Sequence, residues 1–317
     1  MSISIYKISK WYKMMVGKSI SHVNQGVGTC YSKTKVSGYY NDLTEKVTKD
    51  NPEILVPEYY VDTGEKTQFS IGIFQYGLAS YDLFLKTGKI IYKNKLLACA
   101  EWAVSNLQDD GSWKTFVIEH PKHPYSSMAQ GEGISLLIRA HIVTQKKQYL
   151  VSAYKAINFM LKPISDGGVA CFSGSDIYFF EYTNEPLVLN GWIFSIWGLY
   201  DYCKYTNDSE VQRVLDKTLM SLKRKLPDFD IKYWSMYDDG KRICSPFYHK
   251  LHIAQLRTMY DLFGDQIYND YAEKWEKSYN EATKSNDEIK KQNEDLQAKL
   301  DKLQADYDSL SEQAKAQ

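Results

Sequence analysis

The 317-residue sequence predicts a mainly α-helical fold: an incomplete (α/α) toroid of about four helical hairpins, with a small N-terminal β element and a C-terminal coiled-coil helix. Apolar helical segments recur with a period of about sixty residues, and a Tyr-Asp pair ends three of them, at residues 81–82, 200–201 and 260–261. A second helical pattern follows each segment. Because one such hairpin cannot bury its apolar face alone, neighbouring hairpins must pack together.

The two helices of each hairpin differ in polarity. The first is apolar almost all round, as in residues 188–200, and therefore suits the inner ring of the toroid. The second helices are predicted at residues 95–108, 148–161, 211–226 and 267–279. Loops rich in turn residues follow the hairpins, and we expect these loops to gather at one end and form a ligand groove.

Two regions precede the toroid, which we place at residues 69–274. Residues 33–68 carry short strand and turn patterns, at 36–43 and 55–61, and predict a β-rich element covering one end of the toroid. Residues 1–32 predict a flexible lead-in, whose lysines among apolar residues suit peripheral contact with an anionic membrane surface.

The tail, residues 275–317, carries a heptad repeat whose a and d positions alternate at spacings of three and four without a break. Its d positions include Leu296, Leu303 and Leu310, and its a positions include Asn286 and Asn293. Buried asparagine at a favours a parallel two-stranded coil, because each amide can pair with its twin. The sequence therefore predicts a homodimer.

The amino-acid composition indicates which binding partners and which cellular compartment to expect. The 39 basic and 39 acidic residues give a formal net charge of zero, which disfavours nucleic acid as a partner. The 26 tyrosines and 7 tryptophans favour a carbohydrate ligand, since flat aromatic faces stack on sugar rings. Five cysteines without a Cys-x-x-Cys pair indicate neither a disulfide framework nor a zinc site. With no recognisable secretory signal and no apolar run of roughly 18 residues, we expect a cytoplasmic protein without a transmembrane segment.

Residues 180–191 carry the pattern that best fits catalysis. Glu181 and Tyr182 end an aromatic run, Pro186 stops it, and an apolar helix begins near Asn190. A carboxyl group and a phenol on a turn, braced by the helix behind them, suit proton transfer.

Four segments of the sequence share their order and spacing with one known family. They are residues 69–78, 127–135, 181–201 and 237–256. Together they resemble the C-terminal helical domain of the D-glucuronyl C5-epimerases, which convert glucuronate to iduronate in heparan-type chains. The resemblance implies an isomerase that acts on an acidic, heparosan-like polysaccharide, and we expect neither a cofactor nor a metal.

The resemblance also implies four active-site residues: Glu181, Tyr182, Tyr237 and Tyr248. Epimerisation removes the C5 proton and returns one to the opposite face, so two proton-transfer groups must flank the ring. We expect Tyr182 and Tyr248 to be this pair, Glu181 to assist as proton acceptor, and Tyr237 to orient or share the proton. Cations close in sequence are expected to lower the pKa of Tyr237 and Tyr248.

The substrate carboxylate must be neutralised as it gains enolate character. The family has an arginine two residues after the position of Tyr237, but Asp239 stands there, so the choice between Lys241 and Arg242 stays open. Further candidates for binding substrate or bracing the site are Gln75, Gln130, Asn190, His249 and His252. The two histidines are three residues apart, but no third ligand points to a metal site.

Three other functions fit the same pattern. A uronate polysaccharide lyase begins with the same proton abstraction and then expels the O4 leaving group. A glycoside hydrolase needs two carboxylates across the scissile bond, for which Glu181 and Asp238 are candidates. A non-catalytic carbohydrate-binding module needs only the fold and its aromatic surface.

Overall fold

The computed structural model describes residues 8–9, 12–13, 22–60 and 64–315, with side chains described up to residue 304. Most of the predicted lead-in, including nearly all of its membrane-facing lysines, lies outside these residues. No helix within the described ranges is both long and apolar enough to cross a bilayer. The cytoplasmic location and the membrane contact therefore stay predictions.

A short helix, α1 (Glu45–Thr48), precedes eight long helices in the described part of the chain. These form four antiparallel hairpins, as the sequence predicts. The inner helices are α2 (Ser70–Thr87), α4 (Ser127–Thr144), α6 (Leu189–Thr206) and α8 (Pro246–Phe263), and the outer helices are α3 (Ile90–Ser105), α5 (Lys147–Met160), α7 (Ser209–Lys225) and α9 (Gln266–Lys315). Inner helices pack side by side in chain order, which gives the predicted incomplete toroid.

The inner helices approach closely because they are apolar nearly all round and carry small residues where they touch. Nearly every residue of α4 and α6 is buried, whereas α7 exposes a charged face. A Cβ atom at Gly198 of α6 would overlap the backbone of Gly131 of α4. Helix ends follow ordinary capping chemistry: the side chains of Ser126 and Asp208 accept backbone N–H groups at the starts of α4 and α7.

Residues 31–43 cross the toroid at the end where the inner helices terminate, and every inner helix holds this segment. From α2, Asp82 accepts the Tyr39 N–H at 2.8 Å, and from α4, Arg139 donates to the Ser37 carbonyl at 2.8 Å. From α6, Asp201 accepts the Tyr40 hydroxyl at 2.7 Å, and from α8, Thr258 donates to the Tyr40 carbonyl at 3.2 Å. The segment therefore links the first hairpin to the last. Two of its anchors are aspartates of the repeated Tyr-Asp pairs.

The strand predicted at residues 36–43 is wrong. The segment forms only an isolated bridge, between Val27 and Asn41, because helix side chains bind its backbone groups in place of a neighbouring strand. Among the described residues, the β element before the toroid consists of the two-residue strands β1 (Tyr59–Tyr60) and β2 (Lys66–Thr67).

A second hairpin leads into the candidate site. Strands β3 (Ala170–Ser173) and β4 (Asp176–Phe179) pair antiparallel, and β4 packs on α7. Helix α9 is continuous, so the predicted domain boundary at residue 275 falls inside a helix whose first part packs against α8.

Candidate active site

Glu181 and Tyr182 follow strand β4 at the N-terminal ends of α4 and α6. The Phe180 carbonyl accepts the Ser127 N–H at 3.0 Å, which fixes the end of the strand against the start of α4. Glu181 is 6% exposed and lies directly against Gly191, where a Cβ atom would overlap its carboxylate. The turn between β4 and α6 therefore places the carboxyl group inside the inner ring.

The electrostatic environment of Glu181 suits a proton acceptor. Burial raises the pKa of its carboxyl group to about 7, and this outweighs the Tyr182 hydrogen bond and the charge of Arg242, which lower it. One of its carboxylate oxygens has no hydrogen-bond partner among the described residues. At neutral pH the group is therefore poised between its two protonation states, which is the condition for efficient proton transfer.

Tyr182 is held by residues that the sequence analysis missed. Its ring stacks on Phe116 with centroids 4.4 Å apart and lies 5.3 Å from the His120 imidazole. Both residues belong to the loop between α3 and α4, and His120 also lies 3.6 Å from the Glu185 carboxylate. The only sequence signal for these residues was their place in a loop expected at the groove end.

Tyr237 lies in the loop before α8, and Tyr248 lies in α8 itself. Their rings meet edge to face with centroids 4.9 Å apart. Tyr248 lies in the first turn of α8, and the Tyr237 carbonyl accepts the Leu189 N–H at 3.1 Å, which ties its loop to the start of α6. The four residues expected to act together thus converge at the N-terminal ends of the inner helices.

The pKa of Tyr237 shifts in the direction opposite to the one expected from the sequence. Burial raises it well above its ordinary value, and the charges of Glu181, Tyr182 and Tyr248 add to this effect. Arg242 lowers it but does not prevail, because desolvation of the phenolate is the larger effect. Tyr237 is therefore a phenol at neutral pH and can donate a hydrogen bond.

Of the two candidate cations, Arg242 is the one that lies beside the Tyr237 ring. A tight hairpin turn returns the chain on itself, and the Tyr237 N–H donates to the Arg242 carbonyl at 2.6 Å. The Arg242 guanidinium lies 5.3 Å from the centre of the Tyr237 ring and pairs with Asp238 and, at 2.9 Å, with Glu185. Lys241 is exposed at the tip of the turn, with φ of 69°.

Asp239, which stands where the family has an arginine, makes contacts that hold two loops together. Its carboxylate accepts the Leu187 N–H at 2.9 Å, and its own N–H donates to the Leu187 carbonyl at 3.1 Å. It also forms an ion pair with Lys225 at 3.3 Å. Asp239 therefore fastens the Tyr237 loop to the segment that carries Glu181.

Gln75 supports a second buried carboxyl group that sequence reasoning did not single out. Its amide donates to Glu132 at 2.8 Å, and the other Glu132 oxygen is buried with no partner in the described part of the chain. Burial raises the pKa of Glu132 well above its ordinary value; the Glu181 charge adds to this, and Lys46 opposes it. Its signal in the sequence was a glutamate flanked by two glycines in a largely apolar helix.

The remaining predicted binding residues lie within the protein scaffold. Gln130 bonds to the Trp113 N–H and to the Gly111 and Ala156 carbonyls. The Asn190 backbone carbonyl accepts from Gln255, whereas its side-chain oxygen is buried with no partner among the described residues. His249 is bonded to Ser235 and to the Trp275 carbonyl, and His252 to Ser235. Burial lowers the pKa of His249 to about 4 and of His252 to about 3.

Among the described residues, no group of three or more histidine, cysteine or carboxylate side chains is arranged to hold a metal ion. The fold and the site thus define a helical toroid with a glutamate–tyrosine centre suited to proton transfer. The family model described as "D-glucuronyl C5-epimerase C-terminus" matches residues 112–277, just over half of the sequence, and the chain belongs to this family.

Two relatives extend this comparison. The D-glucuronyl C5-epimerase of Caenorhabditis elegans is 30% identical over 213 residues, which cover 58% of this chain and 35% of that protein. An uncharacterized protein of Methanocaldococcus jannaschii is 31% identical over 157 residues, covering 48% of this chain and 51% of that protein. The matched region thus covers between a third and about half of each relative's length.

Among solved structures, the unsaturated glucuronyl hydrolase of Bacillus sp. GL1 is 11% identical. It superposes with a TM-score of 0.48 over 86% of this chain and 83% of that chain.

Proposed function

We propose that this chain is a uronate C5-epimerase that converts D-glucuronate to L-iduronate within a heparosan-like polysaccharide. The observation that carries the proposal is the convergence of a poised buried carboxyl group with three phenols. Membership of the epimerase family supports the reaction class.

Proton removal uses Tyr182 and Glu181 together. The Tyr182 oxygen takes the C5 proton while its own hydroxyl proton passes to the Glu181 carboxylate, to which it is hydrogen-bonded. The electron pair of the broken C–H bond moves into the substrate carboxylate as an enolate. Arg242 offsets this charge, exchanging its contact with Glu185 for the substrate.

Proton return uses Tyr248. Its phenol gives its proton to the opposite face of C5, and the enolate electrons form the new C–H bond. Tyr237 touches the Tyr248 ring and interacts electrostatically with Glu181 and Tyr182. It is therefore suited to pass a proton from Glu181 back to the Tyr248 phenolate after each turnover.

The test is exchange of solvent deuterium into C5 of heparosan, followed by nuclear magnetic resonance together with the length of the polysaccharide. An epimerase incorporates deuterium without chain cleavage. Unsaturated uronate absorbing in the ultraviolet would show a lyase instead, and new reducing ends would show a hydrolase. Binding of heparosan without any exchange would show a binding module.

Matched variants test the residue roles. Tyr182→Phe and Tyr248→Phe should each lower the exchange rate by about 10²- to 10⁴-fold, the usual contribution of a general acid or base. Tyr233→Phe is the control, because this exposed phenol lies in the same loop as Tyr237. Wild-type exchange rates in both site variants would refute the assignment.

A further inference from the structure

Helix α9 extends beyond its hairpin partner. α8 and α9 run antiparallel, and His249 near the start of α8 donates to the Trp275 carbonyl at 3.1 Å. Tyr279 still contacts the domain, since its ring stacks on Trp234 with centroids 6.2 Å apart. From Asn280 to Gln304 every described residue is exposed, although the helix continues without interruption to Lys315.

The exposed part of α9 continues the apolar stripe that packs inside the domain. Trp275, at a d position, is fully buried against α8, whereas the later a and d residues are exposed to water. Ile289 is 51% exposed, Leu296 and Leu300 are 61% exposed, and Leu303 is 66% exposed. A single helix gains little from such a stripe in water, and an a/d stripe at heptad spacing is the seam of a coiled coil.

We propose that this seam, defined as the a and d positions from Ala282 onward, binds the same seam of a second copy of this chain, in parallel and in register. Asn286 and Asn293 select this arrangement. In a parallel pair each amide faces its twin and both can be hydrogen-bonded. In an antiparallel pair each amide would face the side chain of a d position, and a parallel pair shifted by one heptad would keep only one of the two amide pairs.

The flanking positions are compatible with the same pairing. In a parallel coil, each g residue faces the e residue of the next heptad on the partner helix. The resulting pairs are Ser285 with Lys290, Gln292 with Gln297, and Lys299 with Gln304. None of them opposes two like charges, so nothing at the rim of the seam acts against self-association.

The direction of α9 determines where the two sites lie. α8 begins at the end of the toroid that carries Tyr248, so the antiparallel α9 leaves the domain at that end. The 36 residues from Asn280 to Lys315 extend roughly 54 Å as a helix. Parallel pairing therefore puts both candidate sites at the base of one stalk, on the same side of the dimer.

The first test is the molecular mass in solution of the full-length protein. We expect twice the mass of one chain for the wild type, and one chain for the double variant Leu296→Asp and Leu303→Asp. Ala298→Asp is the matched control, because it adds a charge at the outward f position and should leave the dimer intact. A wild-type monomer, a higher oligomer, or a dimer that survives the double substitution would each overturn the proposal.

The second test measures whether the two α9 helices run parallel and in register, and its result does not depend on the first test. Asn293→Cys at an a position should give an intermolecular disulfide under mild oxidation, because twin a residues in a parallel coil lie within disulfide reach. Lys291→Cys at an f position should not cross-link, and wild-type protein controls for the native cysteines. Failure of Asn293→Cys to cross-link above the wild-type level would refute parallel pairing in register.

Discussion

Replacing Glu181 with glutamine should make the protein inactive and at the same time change how its stability depends on pH. The native carboxyl group binds its proton more tightly than the unfolded chain does, because burial raises its pKa from the ordinary 4.5 to about 7. The free energy of unfolding therefore falls as pH rises through this interval, and the contribution is fully lost above pH 7. Glutamine has the same shape but does not titrate.

The size of the effect follows from the two pKa values. Each pH unit between 4.5 and about 7 is worth about 1.4 kcal/mol, so ionising Glu181 costs the native state about 3 kcal/mol by pH 8. Since Glu181 is 6% exposed, little of this cost is screened by solvent. The loss of stability between pH 5 and pH 8 should therefore be about 2–3 kcal/mol smaller in Glu181→Gln than in the wild type.

Urea unfolding of both proteins at the two pH values measures this difference. Comparing each protein with itself removes the packing difference between glutamate and glutamine. Glu53→Gln, a substitution at an exposed carboxyl group, should leave the pH dependence as in the wild type. If Glu181→Gln loses as much stability as the wild type from pH 5 to pH 8, Glu181 does not hold a proton near neutrality.

Three further substitutions test other parts of the structure. Asp201→Asn should lower the free energy of unfolding by about 3–5 kcal/mol in urea, because it leaves Arg139 buried without its partner. The same change at the half-exposed Asp261, which pairs with Lys33 and accepts from Tyr31, should cost only about 1 kcal/mol. Gly198→Ala should cost about 2 kcal/mol or more by pushing α6 away from α4. Arg242→Gln should lower kcat/KM for the uronate substrate at least about tenfold, and Arg242→Lys should recover part of it; unchanged kinetics would remove Arg242 from the site.

The long helices were predictable because the spacing of apolar residues along the sequence shows which face of each helix is buried. Inner helices such as residues 189–206 are apolar all round, and outer helices such as residues 209–225 have one polar face. The end of strand β4 could also be foreseen, since Pro186 and its neighbours favour a turn. Side-chain contacts between distant segments leave no comparable periodic signal, so the place of His120 beside Tyr182 was not foreseen.

The identity of the site cation shows a second limit. Lys241 and Arg242 are adjacent in sequence, and nothing in composition separates them. The turn separates them, because its backbone hydrogen bond from Tyr237 to Arg242 sets Arg242 opposite the phenol and leaves Lys241 at the tip. The strand misread at residues 36–43 has the same origin, since partners supplied by distant helices decided its conformation.

The buried carboxylates at the two ends of the toroid differ in how completely they are hydrogen-bonded. Asp201 is fully buried, and its two oxygens accept from Tyr40, Ser135 and Arg139, so its charge is compensated and its geometry is fixed. Glu132 and Glu181 are also buried, yet each has one oxygen for which the described residues supply no partner. An unpaired buried acceptor costs stability, so it is retained where a proton or a ligand supplies the missing partner. The repeated Tyr-Asp pairs thus hold the closed end of the fold, and the under-bonded glutamates mark the end where chemistry can occur.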